Sequence, residues 1–124
     1  MAKSAHNDVL DALLNYVKNN ATRVAVCSTE PTTYTELITT YKLAIKTISG
    51  TDFTGPEDDT SGRKLTSVQH SAITVDTGGS AQHVGYGDSA NSKLLYVTTC
   101  TAQTLTGGNT VTIQAWKINV QDPT

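Results

Sequence analysis

The residues with the greatest capacity for chemistry form one short acidic segment. Glu57, Asp58 and Asp59 follow one another and precede Arg63 and Lys64, which makes this the densest run of charge in the chain. Carboxylates at this density can supply the hard oxygen ligands of Ca²⁺, or the acid and base of a hydrolase. They are equally typical of a solvated surface loop. In a third interpretation, the acids and the two basic residues form ion pairs with an adjacent subunit.

The spacing of this segment fits neither a known calcium loop nor a phosphate loop. The EF-hand alternation of acidic residues is missing, and side chains adjacent in sequence rarely converge on one ion. A P-loop requires G-x-x-x-x-G-K-[S/T] before a helix, whereas Gly55 and Gly62 have another spacing and Arg63 stands where lysine should be. We therefore predict no metal ion here, and a long hydrophilic loop over residues 50–62.

The remaining nucleophiles and bases form no catalytic pattern. The three histidines belong to no H-x-x-x-H or H-E-x-x-H motif, and G-x-S-x-G does not occur. Cys27 and Cys100 lie in apolar or threonine-rich runs, so we predict two buried thiols rather than a disulfide. The sequence thus predicts no catalytic residue, no metal and no cofactor, and a protein that is not an enzyme.

Composition narrows the class of partner. The chain has 124 residues, the length of a single domain over 1–124, and a formal net charge of −2. Its nine basic residues are scattered, so no nucleic acid is expected as a ligand. No apolar run approaches the ~20 residues that cross a bilayer, and no signal-peptide core follows the initial methionine. We expect synthesis in a cytoplasm and no membrane partner.

One amphipathic helix is predicted at the N terminus, within residues 1–21. Either Ser4 or Asn7 is the expected N-cap. The helix is expected to pack on a sheet or on a neighbouring subunit. Its apolar residues recur at helical spacing and form one stripe, namely Val9, Leu10, Leu13, Leu14 and Val17.

The rest of the chain, residues 22–120, reads as a β-rich body of six or seven short strands. Residues 81–88 and 93–101 predict a hairpin. In the last strand the apolar parity changes near Ala115, which predicts a bulge or a second buried face. Residues 121–124 are expected to be an exposed tail. The predicted fold is mainly β, an antiparallel β-sandwich or barrel-like domain with one N-terminal amphipathic helix.

Aromatic residues add candidates for an interface. Trp116, Tyr86 and Tyr96 have strand spacing and predict core or interface anchors rather than a ligand platform. Tyr34 lies in the N-terminal half, where a subunit boundary is expected. The complete set of candidate subunit-interface residues is Glu57, Asp58, Asp59, Arg63, Lys64, Tyr34 and Trp116.

Three segments carry a family likeness: CSTEPTTYTE (27–36), GPEDDTSGRK (55–64) and LLYVTTCTAQTLTGGNTV (94–111). With the flanking sequence they resemble a family of small structural proteins of tailed-bacteriophage virions. The likeness covers nearly the whole chain and is one of overall pattern. It implies a non-enzymatic virion component, above all a capsid decoration (cement) protein. The implied partners are the major capsid protein, other virion proteins and further copies of the chain in a homo-oligomer.

The sequence leaves two alternatives open. One is a tail or neck structural component of the virion. A carbohydrate- or host-binding β-module is also compatible, because threonine-rich sandwiches with exposed tyrosine and tryptophan can bind sugars.

Overall fold

The computed structural model describes residues 5–121, in which one helix precedes nine strands. The strands pair antiparallel throughout, so the prediction of a mainly β, antiparallel domain with an N-terminal helix is confirmed. The elements are α1 Asn7–Asn20, β1 Arg23–Cys27, β2 Lys42–Thr47, β3 Phe53–Asp58, β4 Arg63–Ser67, β5 His70–Thr74, β6 Gly79–Asp88, β7 Lys93–Leu105, β8 Thr110–Ile113 and β9 Trp116–Val120.

The nine strands form three sheets. The largest has the order β2-β1-β6-β7, a second has the order β3-β4-β9, and β5 pairs with β8. One hydrophobic core takes side chains from the helix and from every strand. The sheets therefore pack around one main core and follow the sandwich form of the prediction, without a closed barrel among the described residues.

Strand β1 is buried on both faces. Val24 and Val26 point into the main core, whereas Ala25 and Cys27 belong to a second cluster on the opposite face of the sheet, with Leu37. Leu37 lies in a π-helical turn that covers this face. The double burial explains why the strand is almost uniformly apolar in sequence.

The prediction of a long loop over residues 50–62 is wrong, because most of this segment has regular structure. It begins with a 3-10 turn at Gly50–Asp52 and continues as β3, so only residues 59–62 form the turn to β4. Density of turn-forming residues had suggested a loop. The structure uses glycines there for positive φ, +109° at Gly55 and +73° at Gly62, inside and at the end of a β-hairpin.

The structure has nine strands where six or seven were predicted, because β3 lies within the predicted loop and the predicted C-terminal strand is divided. Residues 64–76 contain both β4 and β5, and the C-terminal strand breaks at residues 114–115 into β8 and β9. These two lie in different sheets, which accounts for the change of apolar parity near Ala115. Gln121 is exposed, as predicted for the tail, and residues 122–124 lie outside the described residues.

Helix α1 differs from its prediction in its start. His6 is the N-cap, and its Nδ1 accepts a hydrogen bond from the backbone N–H of Asp8 at 3.1 Å. Asn7 is instead the first helical residue, and Ser4 lies outside the described residues. A neutral imidazole nitrogen accepts this bond as a serine oxygen would, a role that the usual cap preferences do not assign to histidine.

The buried stripe of α1 is narrower than predicted. Leu10, Leu14 and Val17 are buried, whereas Val9 and Leu13 are each 61% exposed. Successive helical residues are about 100° apart, so a helix that points 10, 14 and 17 directly at the core turns 9 and 13 towards solvent.

Candidate functional site

The predicted charge cluster is bonded largely within the chain. Arg63 Nε donates to Asp11 Oδ1 at 2.8 Å and Nη2 donates to Asp11 Oδ2 at 3.2 Å. Its Nη1 donates to Asp58 Oδ1 at 2.7 Å. These hydrogen bonds, to Asp11 first and then to Asp58, raise the pKa of Arg63 above its ordinary value. The guanidinium thus fixes the β3–β4 hairpin against α1.

Asp59 is bonded to the opposite side of the hairpin. Its Oδ2 accepts from Lys117 Nζ at 2.6 Å and from Asn119 Nδ2 at 2.9 Å, both on β9. The hydrogen bond from Lys117 lowers the pKa of the Asp59 carboxyl. Its side chain is only 8% exposed, and its hydrogen bonds connect the β3–β4 turn to β9.

Of the predicted interface charges, Glu57 and Asp58 are the exposed ones. Glu57 lies opposite Lys64 in the register of the hairpin, and Lys64 is half-buried. Contact of this hairpin with a neighbouring subunit stays a prediction. Among residues 5–121, no group of three or more His, Cys, Asp and Glu side chains has the arrangement of a metal site.

The most enclosed histidine is His70, which is 1% exposed. Its Nε2 has no hydrogen-bond partner in the described part of the chain. Burial, and then the charge of Lys46, lowers its pKa below the ordinary value, while Asp52 acts in the opposite direction. Burial therefore favours the neutral form of this imidazole.

Tyr34 lies half-buried on the outer face of the large sheet. A Cβ at Gly87 would come within 2.9 Å of both Tyr34 Cε1 and Leu37 Cδ2, and one at Gly85 within 2.7 Å of Leu37 Cδ1. Two glycines in β6 therefore let Tyr34 and the π-helical turn approach the sheet. Packing within the chain is the observed role of Tyr34, and its place at a subunit boundary stays a prediction.

Trp116, the first residue of β9, belongs to an aromatic cluster. Its ring stacks on Tyr86, with centroids 5.3 Å apart and planes 4° apart, and lies 5.8 Å from Tyr96. Tyr86 is fully buried, and burial raises the pKa of its hydroxyl to about 12. Trp116 is half-buried, because one side of it borders a cleft.

The cleft has a volume of about 440 Å³ and lies between β7 and the β8–β9 segment. Its floor is mostly apolar, and glutamine and threonine side chains line its rim. The residues that line it include Thr98, Thr99, Cys100, Gln103, Val111 and Trp116.

The wall of the cleft formed by β7 is also the open edge of the large sheet. β7 pairs only with β6, and its outer backbone groups have no hydrogen-bond partner among residues 5–121. Such an edge is a template for another strand. Natural edge strands are usually blocked by charge, proline, a bulge or a covering segment.

The other edge of the same sheet, β2, is blocked in two of these ways. The backbone N–H groups of Asp76 and Thr77 both donate to Leu43 O, at 2.8 and 3.2 Å, so the chain covers this edge. Lys42 and Lys46 add charge to the strand. The β2 edge of this sheet is thus covered and charged, whereas the β7 edge is left open.

Strand β7 has neither charge nor proline from Leu94 to Leu105. Shifts in its register with β6 flank the stretch Tyr96–Thr99, which pairs without interruption with residues 83–86. Tyr96–Thr99 is therefore the regular part of the open edge, and it lies beside the cleft. Sequence reasoning assigned the hairpin correctly but missed this edge; the uncharged run was the signal that could have identified it.

Comparisons of the chain with protein-family models, with curated proteins and with solved structures found no match. Within residues 5–121, no helix has the length and apolar character needed to span a membrane.

Proposed function

We propose that the protein is a non-enzymatic structural component of a tailed-bacteriophage virion, a capsid decoration protein that binds the major capsid lattice. The observation that carries the proposal is the open, uncharged edge of β7 beside the cleft. The resemblance of the sequence to small phage virion proteins is the second support for the proposal. A surface of this kind suits permanent assembly, because pairing with a strand would satisfy its backbone groups and cover its apolar floor.

The proposed contact is β-strand addition. An extended segment of the major capsid protein pairs with β7 along Tyr96–Thr99, and main-chain hydrogen bonds supply the affinity. Alternate side chains of that segment enter the cleft and contact Trp116, which supplies specificity. Because a capsid repeats the site by symmetry, contacts that are weak singly stabilise the shell together.

Binding to heads tests the contact. Heads that lack this protein are incubated with the purified chain, and co-sedimentation is measured for wild type and for the Thr99→Lys/Thr101→Lys variant. Both threonines are exposed on β7, so the lysines place charge at the edge without disturbing the core. The matched control is Thr39→Lys/Thr40→Lys, an equal change at two exposed threonines of the π-helical turn.

We expect wild type and the control to bind heads, and the β7 variant to lose binding while its melting temperature is kept. Equal binding by the two variants would exclude the β7 edge as the contact. Absence of the protein from purified virions would overturn the virion role itself. A decoration role also requires that heads without the protein resist heat and chelation less well than heads that carry it. Density for the chain at the neck or tail in cryo-electron microscopy would instead identify it as a neck or tail component.

The cleft favours one second candidate function, a carbohydrate-binding module. Its volume lies within the range of small-molecule sites, and Trp116 offers an aromatic face on which a sugar ring could pack. A glycan array tests this directly. A retained glycan whose binding is lost in Trp116→Ala, with no binding to heads, would favour the module over the decoration protein.

A further inference from the structure

The outer face of α1 carries an apolar ridge that the fold leaves uncovered. Val9 and Leu13 are each 61% exposed and Tyr16 is 47% exposed. They are related as i, i+4 and i+7, so they form one line along the helix. Among the described residues, the other exposed large hydrophobic residue is Val68, at 37%. The exposed apolar side chains are thus concentrated on one helix.

The helix cannot turn to bury this ridge. Its inner face is fixed by the paired hydrogen bonds between Asp11 and Arg63, and Lys18 Nζ donates to Gly55 O at 2.8 Å. Leu14, on the same inner side, is 1% exposed. Rotation of α1 would break both polar contacts and uncover the core, so the ridge of Val9, Leu13 and Tyr16 is a fixed surface of the folded chain.

We propose that this ridge is a homodimer contact, in which α1 packs against α1 of a second copy in antiparallel orientation. Opposite charges at the two ends of the ridge favour a second copy of the chain as the partner and an antiparallel orientation of the two helices. Asp8 lies beside Val9 in the first turn, with a side chain that is 90% exposed. Lys93 lies at the other end, where its Nζ is 3.2 Å from Tyr16 Oη.

An antiparallel pair centred near Ala12 and Leu13 places Val9 of each copy against Tyr16 of the other. Asp8 of one copy then approaches Lys93 of the other, at both ends of the contact. A parallel pair would instead bring like charges together at each end, which is unfavourable. Antiparallel packing also places the positive N-terminal end of each helix dipole beside the negative C-terminal end of the other, which is favourable. The same sequence therefore supplies both halves of a complementary surface.

Sedimentation of the purified chain tests the association without any capsid, so its outcome is separate from that of the proposed function. Wild type is expected to dimerise with rising concentration, and Leu13→Glu to remain monomeric at the same concentrations. Val68→Glu is the matched control, since it changes the other exposed apolar residue and should still dimerise. Circular dichroism confirms that each variant is folded. A monomeric wild type, or a dimer unaffected by Leu13→Glu, overturns the proposal.

Disulfide trapping tests the orientation. In a Cys100→Ser background, Val9→Cys and Tyr16→Cys chains are mixed under reducing conditions and then oxidised. An antiparallel pair yields a covalent dimer from the mixture and little from either chain alone, because like positions lie about 10 Å apart along the axis, beyond disulfide reach. Cross-linking of each chain with itself would indicate parallel packing and contradict the proposal.

Charge reversal tests the end contacts. Asp8→Lys and Lys93→Asp should each weaken dimerisation, and the double variant should restore it, because the complementary pairs are re-formed with reversed sign. Two single variants that weaken dimerisation additively, without restoration in the double variant, would contradict the assigned pairing of Asp8 with Lys93.

Discussion

Arg63 and Asp11 are joined by two parallel hydrogen bonds, Nε to Oδ1 at 2.8 Å and Nη2 to Oδ2 at 3.2 Å. Both side chains are largely shielded, with 15% and 19% of their surface exposed. This is the contact that sets α1 on the β3–β4 hairpin. It links two segments that are far apart in sequence, and together with the contact of Lys18 with Gly55 it fixes which face of the helix meets solvent.

Replacing Arg63 by lysine should lower the melting temperature, because a single ammonium group cannot reproduce the planar, two-point contact with Asp11. Arg63→Ala should lower it further, since Asp11 is then left half-buried without its partner. Thermal unfolding measures both. Lys64→Ala, one residue along the same strand, is the control; an equal loss there would show that the Asp11 contact has no special weight.

Asp59→Ser should destabilise the protein, whereas Glu57→Ser should leave the melting temperature nearly unchanged. Asp59 bonds Lys117 and Asn119 in the folded chain, and Glu57 is exposed. Because the folded-state pKa of Asp59 is lowered, its contribution is present above about pH 4 and is lost as the pH falls through the folded pKa. Melting at neutral and acidic pH measures this. Indistinguishable curves for the two variants would restore the solvated-loop interpretation of all three acids.

Gly62→Ala should cost more stability than Gly108→Ala. Both glycines have positive φ, +73° and +87°, which costs an alanine about 1 kcal/mol or more. At Gly62 a Cβ would also overlap the carbonyl oxygen of Val120, whereas nothing lies within 4 Å at Gly108. Overlap in a packed site adds about 1–3 kcal/mol. Urea unfolding of the two variants measures the additional loss of unfolding free energy that overlap causes at Gly62. Equal losses of unfolding free energy in the two variants would contradict this prediction.

His70 should make stability fall as the pH is lowered from about 7. Its folded pKa lies below the ordinary value of 6.5, so the unfolded chain takes up a proton that the native chain excludes. The free energy of unfolding then decreases from about pH 6.5 down to the folded pKa, by at most about 1.4 kcal/mol per pH unit for one proton. His70→Gln should flatten the dependence in this interval. An unchanged slope would assign it to other groups.

Trp116→Ala should cost about 3 kcal/mol, at the low end for a buried aromatic, because one side of the indole faces the cleft. Trp116→Phe should recover much of the loss by keeping the stack on Tyr86. Urea unfolding measures both variants. Near-wild-type stability of the alanine variant would mean that the ring serves the surface of the cleft alone.

The periodicity of the sequence predicted the fold class, the hairpin of β6 and β7 and the buried strand β1, because each depends on neighbours in sequence. It failed where pairing is long-range. The β3–β4 hairpin contains turn-forming residues such as Gly55 and Gly62, and it is held by β9, whose Ile118 lies opposite Leu65. No local pattern reveals that partner.

The candidate surfaces were less predictable for a related reason. Val9 and Leu13 belong to the same apolar pattern as Leu14, and long-range contacts of the helix, such as the one between Arg63 and Asp11, separate the exposed set from the buried one. Likewise, the charges around Arg63 suggest an intermolecular interpretation from sequence, yet their observed partners lie within the chain, on α1, β3 and β9. The position of β7 at an edge depends on the order of strands in the sheet.

The double burial of β1 has a consequence for how the molecule opens. β1 is paired with β2 on one side and β6 on the other, and both of its faces are covered. Its amide hydrogens should therefore exchange with deuterium only when the whole sheet separates, so their exchange rate reports global unfolding. The outward amides of β7, one strand beyond β6, should exchange freely in the isolated chain. The slowest and the fastest amides of a single sheet thus lie two strands apart.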